Sequence, residues 1–227
     1  MRVYTYYMPV PDLWSEESQR ALIDVWARSW AKAGWEPIVL NESDAKTHPN
    51  FSFYKEKFWA LPTEYGHDYE GGCFMRWLAT AQAGGGMMVD YDVINYGFPP
   101  FDQPPEEMSV FADRPPEGIF MGAVVGQQWQ FQEMADIFAM WGPDQNDLNS
   151  PAASETYQDY HCSDLTMLIH MFDDKTRPKP DWLTRRDGCA LFPHPSWETS
   201  KMVHYAYAMR EAGYWPKHEH IEKIRAF

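Results

Sequence analysis

The segment Gly84-Gly85-Gly86-Met87-Met88-Val89-Asp90-Tyr91-Asp92-Val93-Ile94 constrains the fold more than any other stretch of the chain. It reads as a glycine turn, a short apolar strand, and two aspartates one residue apart. Met87-Met88-Val89 lacks apolar–polar alternation, which predicts a strand buried on both faces, as in the middle of a mostly parallel sheet. Open α/β sheets bind ligands beyond the carboxyl ends of their strands, and Asp90 and Asp92 fall there. Two carboxylates so close together are costly to bury without a positive partner. A hard divalent cation with oxygen ligands is the natural partner. A solvated turn is the competing reading of the same two residues.

Other motifs that use glycines and aspartates do not fit. A calcium loop needs an oxygen ligand where Ile94 stands. A P-loop needs Gly-Lys-Ser/Thr where Met87-Met88 follow the glycines, and Val89 fills the last place of a G-x-G-x-x-G pattern. The segment before the strand is more informative. Phe74, Trp77, Leu78 and Ala81 form an i, i+3, i+4, i+7 stripe, so residues 70–83 are predicted to be helical, with Arg76 on the opposite side. The glycines then end that helix, since a left-handed residue costs glycine little.

Arg76-Trp77-Leu78, Gly85-Gly86 and Asp90-Tyr91-Asp92-Val93 together resemble the sugar-binding segment of GT-A type glycosyltransferases. The resemblance is to the group typified by a yeast mannosyltransferase and the large clostridial glucosylating toxins. It implies an α/β fold: a single GT-A-like domain over residues 1–227, with a mixed, mainly parallel central sheet flanked by helices. It implies further that Arg76 helps hold a donor sugar and that Asp90 and Asp92 bind sugar and a metal-diphosphate, with Mn²⁺ or Mg²⁺ as cofactor. Tyr91, between them, falls in the same donor-binding segment. The implied partners are a nucleoside-diphosphate sugar and an unidentified acceptor. Two departures stand out: Cys73 occupies a place where the group often has an aspartate, and one extra residue separates the arginine from the first aspartate.

Toward the N-terminus, residues 2–8 are aromatic and β-branched and predict a first strand. A helix follows, capped by Ser15 and carrying Glu16-Glu17 in its first turn. Its stripe is Leu22, Val25, Trp26, Trp30 and Ala33, and Gly34 ends it. Glu36–Leu40 is then a second strand, parallel to the first. In the resembled group the nucleotide lies over these strand ends, which makes Tyr6, Tyr7 and Trp14 candidates to stack on its base. Aromatics of this kind more often fill a core.

Further on, residues 51–61 predict a short helix, residues 109–112 and 119–125 two strands, and Phe131 to Trp141 a helix face. Polar, proline-interrupted residues 142–162 predict a surface excursion that contributes to the acceptor site. A helix from Ser163 places Asp164 in its first turn, where a favourable dipole interaction accounts for it. The resemblance adds that a similar aspartate lies by the donor sugar. Residues 189–197 predict a short strand, His194 in a proline-flanked turn, and a helix from Ser196 to about Gly213. By resemblance His194 completes the metal site, Ser196 and Trp197 lie at the donor, and Lys201 meets the diphosphate. His194 as a plain turn residue is an equal reading. His204 is expected to pack or face solvent on that helix, and His218 and His220 to lie in a solvated tail.

At 227 residues the chain suits one compact domain, and its 44% hydrophobic and 16% aromatic content argues against disorder. The net charge of −14 argues against non-specific binding to nucleic acid or anionic lipid. It leaves room for an anionic donor, because local cations can reverse the field in one pocket. No run of about 18 apolar residues predicts a membrane span. The first residues lack the apolar core of a signal peptide, and three scattered cysteines suit a reducing compartment, so a cytoplasmic location is expected.

Metal-dependent glycosyl transfer, with retention implied by the resemblance, is thus the leading expectation. A GT-A-shaped binding module without catalysis is the first alternative, favoured by Cys73. A nucleotidyltransferase ranks lower, because Met8-Pro9-Val10-Pro11 replaces the basic glycine-rich loop it needs after the first strand.

Overall fold

A computed structural model describes residues 1–9, 15–63, 66–113, 120–141, 162–173, 179–193, 195–206, 209 and 213–227. The chain opens with strand β1 (Arg2–Tyr6), helix α1 (Glu16–Lys32) and strand β2 (Glu36–Leu40). The Ser15 hydroxyl accepts the Ser18 N–H and caps α1, and Glu16 and Glu17 sit where the helix dipole favours negative charge. β1 and β2 pair in parallel with Arg2 opposite Glu36.

Short helices α2 (Glu42–Ala45) and α3 (Phe51–Trp59) lead to α4 (His67–Gln82) and then β3 (Gly85–Val89). The turn between α4 and β3 requires glycine. Gly85 has φ +76°, and a Cβ there would stand 2.4 Å from the backbone nitrogen of Gln128. Strands β4 (Val93–Asn95), β5 (Met108–Asp113) and β6 (Phe120–Gln127) follow, then helices α5 (Gln128–Met140) and α6 (Asp164–Asp173). Strands β7 (Leu183–Asp187), β8 (Cys189–Leu191) and β9 (Met202–His204) and helix α7 (Ile221–Ile224) complete the order.

The main sheet has six strands in the order β2-β1-β3-β6-β5-β7. Only β6 runs against its neighbours, so the sheet is mixed and mainly parallel. All five residues of β3 are buried, as its unbroken apolar run predicts. Alternation along the strand divides them between two cores. Met88 joins Tyr4, Val110 and Val124 under α3, α4, α5 and α6, where Phe58, Phe74, Trp77 and Phe138 are packed. Met87 and Val89 face the other side, with Val3 and Val125, against Trp26 and Trp30 of α1. Helices therefore cover both faces of the sheet. Among the described residues, no helix is long and apolar enough to cross a membrane.

On the α1 side, β4, β9 and β8 form a second, three-stranded sheet in that order. Here the structure corrects the expected helix from Ser196 to Gly213. Residues 195–198 form a single 3₁₀ turn, and Met202-Val203-His204 is a strand. The apolar spacing that suggested a helix is real in one respect, since Met202 and Met209 are both buried. Pairing on both sides, with β4 and with β8, outweighs the local helical preference. The main-sheet edge strand β7 also went unforeseen, because Leu-Thr-Arg-Arg-Asp has the polar look of a loop. All but the last residue of the excursion expected at 142–162 lies outside the described residues, as do Trp14 and His194.

Candidate active site

The site is assembled at the carboxyl end of β3. Asp90 follows the last residue of that strand, and the Val93 N–H returns to the Asp90 carbonyl at 2.9 Å, closing a tight turn through Tyr91 and Asp92. The Tyr205 N–H donates to the Asp92 carbonyl at 2.9 Å and ties this turn to the end of β9. The backbone that carries both carboxylates is thereby held at two points.

Arg76, on α4, reaches the turn from the opposite wall. Its guanidinium bridges two carboxylates: Nη1 contacts Asp90 Oδ1, while Nε and Nη2 lie 2.9 and 2.7 Å from Asp164 Oδ2. Asp164 opens α6, and the same oxygen accepts the Trp77 indole N–H at 2.7 Å. Its side chain is only 3% exposed, so these donors replace water. Favourable interaction with the α6 dipole is thus one part of what holds Asp164, and Arg76 and Trp77 supply the rest.

His204 and Lys217, which sequence spacing does not bring to the aspartates, complete the site. β9 pairs antiparallel with β4, and Val93 stands opposite His204. That register brings His204 Nε2 to 3.2 Å from Asp92 Oδ1 and 3.7 Å from Asp90 Oδ2. Lys217, on a 3₁₀ turn near the C-terminus, donates from Nζ to the other Asp92 oxygen, Oδ2, at 2.6 Å. The expected solvated tail is therefore a wall of the site: the Lys217 side chain is 10% exposed, and His218 lines the same cavity.

These side chains surround a cavity of about 390 Å³, within the range of small-molecule sites. Tyr6, Tyr91, Arg76, Asp90, Asp92 and Asp164 line it, as do Glu70, Cys73, His204 and Lys217. Tyr7 is not among its lining residues; it is buried and packs edge-on to Tyr91. Nor are Ser196, Trp197 and Lys201. Trp197 packs on Phe192, and Lys201 is exposed, with its carbonyl taken by the Tyr96 N–H. The 3₁₀ turn and the strand after it carry these residues away from the cavity.

Electrostatics follow from this geometry. Burial alone raises the Asp92 carboxyl, but the Lys217 ammonium and the His204 imidazole outweigh it and hold Asp92 well below the usual carboxylate range. Burial pushes Asp90 above its ordinary value, because Arg76 and His204 offset only part of that cost and Asp92 and Asp164 add to it. Burial opposes charge on His204, yet Asp92 and Asp90 raise it above its ordinary value. Arg76 is likewise buried and held charged by Asp164 and Asp90. Asp90, Asp92 and His204 offer ligand atoms within 4.8 Å of one another. Two hard carboxylates and one imidazole are a donor set that a divalent first-row ion accepts.

Glu70, on α4, is pushed up to about 8 by burial and by Asp164, against the pull of Arg76. A carboxyl raised on folding binds its proton more tightly in the native state. Its effect on stability is nil below about 4.5, grows as pH rises toward 8, and is then a constant penalty. Glu70→Gln is expected to gain stability over wild type by roughly 1.4 kcal/mol per pH unit through that window, as an upper bound. Urea unfolding at pH 5, 6.5 and 8 measures the gap; parallel curves for the two proteins would contradict it.

Residues 1–100 match a family model described as a domain of unknown function (DUF8765). No curated protein matches the chain. Among solved structures, the chain is similar to the crystal structure of a glycosyltransferase involved in the glycosylation of the major capsid of PBCV-1. The two align over 97% of this chain and 98% of the other, with a TM-score of 0.56 and 12% identity. The mixed, mainly parallel α/β fold described above is thus one that a glycosyltransferase also adopts.

Proposed function

We propose that the protein transfers a sugar from a nucleoside-diphosphate sugar to an acceptor, in a GT-A-like arrangement spanning the chain. The observation that carries this reading is the convergence of Arg76, Asp90, Asp92, Asp164, His204 and Lys217 on one cavity at the carboxyl end of β3. The fold shared with a glycosyltransferase of known structure supports it.

Asp90, Asp92 and His204 would hold a divalent ion. The imidazole favours Mn²⁺ over Mg²⁺, which prefers oxygen alone. Such an ion supplies Lewis-acid neutralisation of the charge that grows on a departing diphosphate. Lys217 places a further cation in the same cavity, and Arg76, pinned by Asp164, orients Asp90 toward the donor. Tyr6 and Tyr91 supply aromatic wall beside the carboxylates. Retention of configuration is the stereochemical outcome we assign. Asp90, Asp92 and Asp164 are each engaged with cations, and Glu70, raised to about 8, is mostly protonated at neutral pH. None of them is set up as the base that an inverting attack requires.

Release of UDP or GDP from sugar nucleotides in the presence of Mn²⁺, alone and with sugar acceptors, tests the reading. Release is expected for one nucleotide family. Nucleotide binding with neither hydrolysis nor transfer would select a binding module, to which the cysteine at position 73 also points.

A further inference from the structure

The proposed metal site contains a competitor for the metal. Asp92 has two carboxylate oxygens, and both are engaged: Oδ1 faces His204 Nε2 at 3.2 Å and Oδ2 accepts from Lys217 Nζ at 2.6 Å. Asp90 is similarly engaged, with Oδ1 on Arg76 and Oδ2 3.7 Å from His204. A divalent ion using Asp92 meets the ammonium at the carboxylate it must share. At such a distance in a largely buried site, like charges repel strongly.

We infer that ammonium and metal are alternative occupants of Asp92, with Lys217 a positioning residue that holds the carboxylate whenever no metal is bound to it. The inference rests on the transferase reading for its purpose, but its geometry stands alone. A buried aspartate pair without a counter-charge is unstable, and the ammonium keeps Asp92 ionised and in place until a metal arrives.

Only the side chain has to move. The backbone that carries Lys217 is held on both sides of α7. The His220 N–H bonds the Lys217 carbonyl at 3.0 Å, and Ile221 is fully buried in the α1-side core. Arg28 Nη2 lies 3.0 Å from Glu222, and Lys32 Nζ donates to the Phe227 carbonyl at 2.6 Å. Arg225 donates to the Trp197 and Ser200 carbonyls at 2.6 and 2.9 Å and lies 4.0 Å over the Tyr96 ring. A four-carbon stem on this anchored strap lets the ammonium leave Oδ2 while remaining in the cavity. There it would face the anionic diphosphate that arrives with the metal, so the same charge that disfavours metal alone favours metal together with donor. Metal affinity would then be low until a donor is present.

The test is a Mn²⁺ titration of the nucleotide-free protein, with free Mn²⁺ followed by electron paramagnetic resonance. Lys217→Met and Lys217→Gln are expected to bind Mn²⁺ at least tenfold more tightly than wild type. Lys223→Met, which removes one exposed charge on α7, is expected to bind as wild type does and so controls for net charge. Circular dichroism selects the folded variants, and either Lys217 variant suffices. Equal or weaker binding by the Lys217 variants, or no binding by any protein, overturns the inference. Because no nucleotide or sugar enters the titration, these outcomes are separate from those of the nucleotide-release assay, which decides the transferase reading by itself.

Discussion

Arg76→Ala is expected to destabilise the protein by about 3–5 kcal/mol, the cost of removing one partner from a buried ion pair. The Arg76 side chain is 12% exposed, and its guanidinium is shared by Asp90 and the nearly inaccessible Asp164. Its loss leaves Asp164 with the Trp77 indole as its remaining donor from α4, and it leaves Asp90 beside Asp92 with only His204 between them. Three carboxylates then share a cavity wall with the Lys217 ammonium and the imidazole. Arg76→Lys restores the charge but not the planar fork that meets two carboxylates at once, so only partial recovery is expected. Urea unfolding measures both variants. A loss below about 1 kcal/mol for the alanine variant would mean that the bridge does not hold the α4–β3–α6 corner together.

Asp92→Asn should remove the chemistry while keeping the turn, at a cost in stability because the buried Lys217 ammonium and the His204 imidazole lose their counter-charge. The amide keeps the shape of the side chain, and the backbone bonds from Tyr205 and Val93 that shape the turn do not involve it. What disappears is the anion that Lys217 and His204 converge on and that a divalent ion needs. Donor turnover is expected to fall at least ~10²-fold, comparable to deleting a single preorganised electrostatic group from an active site. Nucleotide release from the sugar donor at saturating Mn²⁺, with circular dichroism to verify folding, measures it. Near-wild-type turnover would place the working cation elsewhere.

The parts of this site that were legible in the sequence are local. The stripe Phe74, Trp77, Leu78, Ala81 fixes which way α4 faces, the glycines fix its end, and the unbroken run Met87–Val89 marks a strand with core on both sides. All lie within thirty residues, where 3.6-residue and two-residue periods are readable. His204 and Lys217 were not legible, because their placement depends on distant pairing. Lys217 meets a carboxylate 125 residues earlier in the chain. β9 is three residues long, too short to show alternation, and its Met-Val start suits a helix turn or a strand equally. Its identity is decided by β4 and β8, which present open edges on either side of it. Sequence order alone points to Ser196, Trp197 and Lys201 as donor-site residues, but none of them lines the cavity. The strand and strap deliver others.

The most direct measurement is calorimetric titration of UDP and GDP, each with and without Mn²⁺, into the wild-type protein and Asp92→Ala. Binding of one nucleotide that requires Mn²⁺ in wild type and is lost in the variant is the expected result, and it would also name the donor's base. Failure of both nucleotides to bind folded wild-type protein would contradict the account, leaving Asp90 and Asp92 as a structural turn balanced by Arg76, His204 and Lys217.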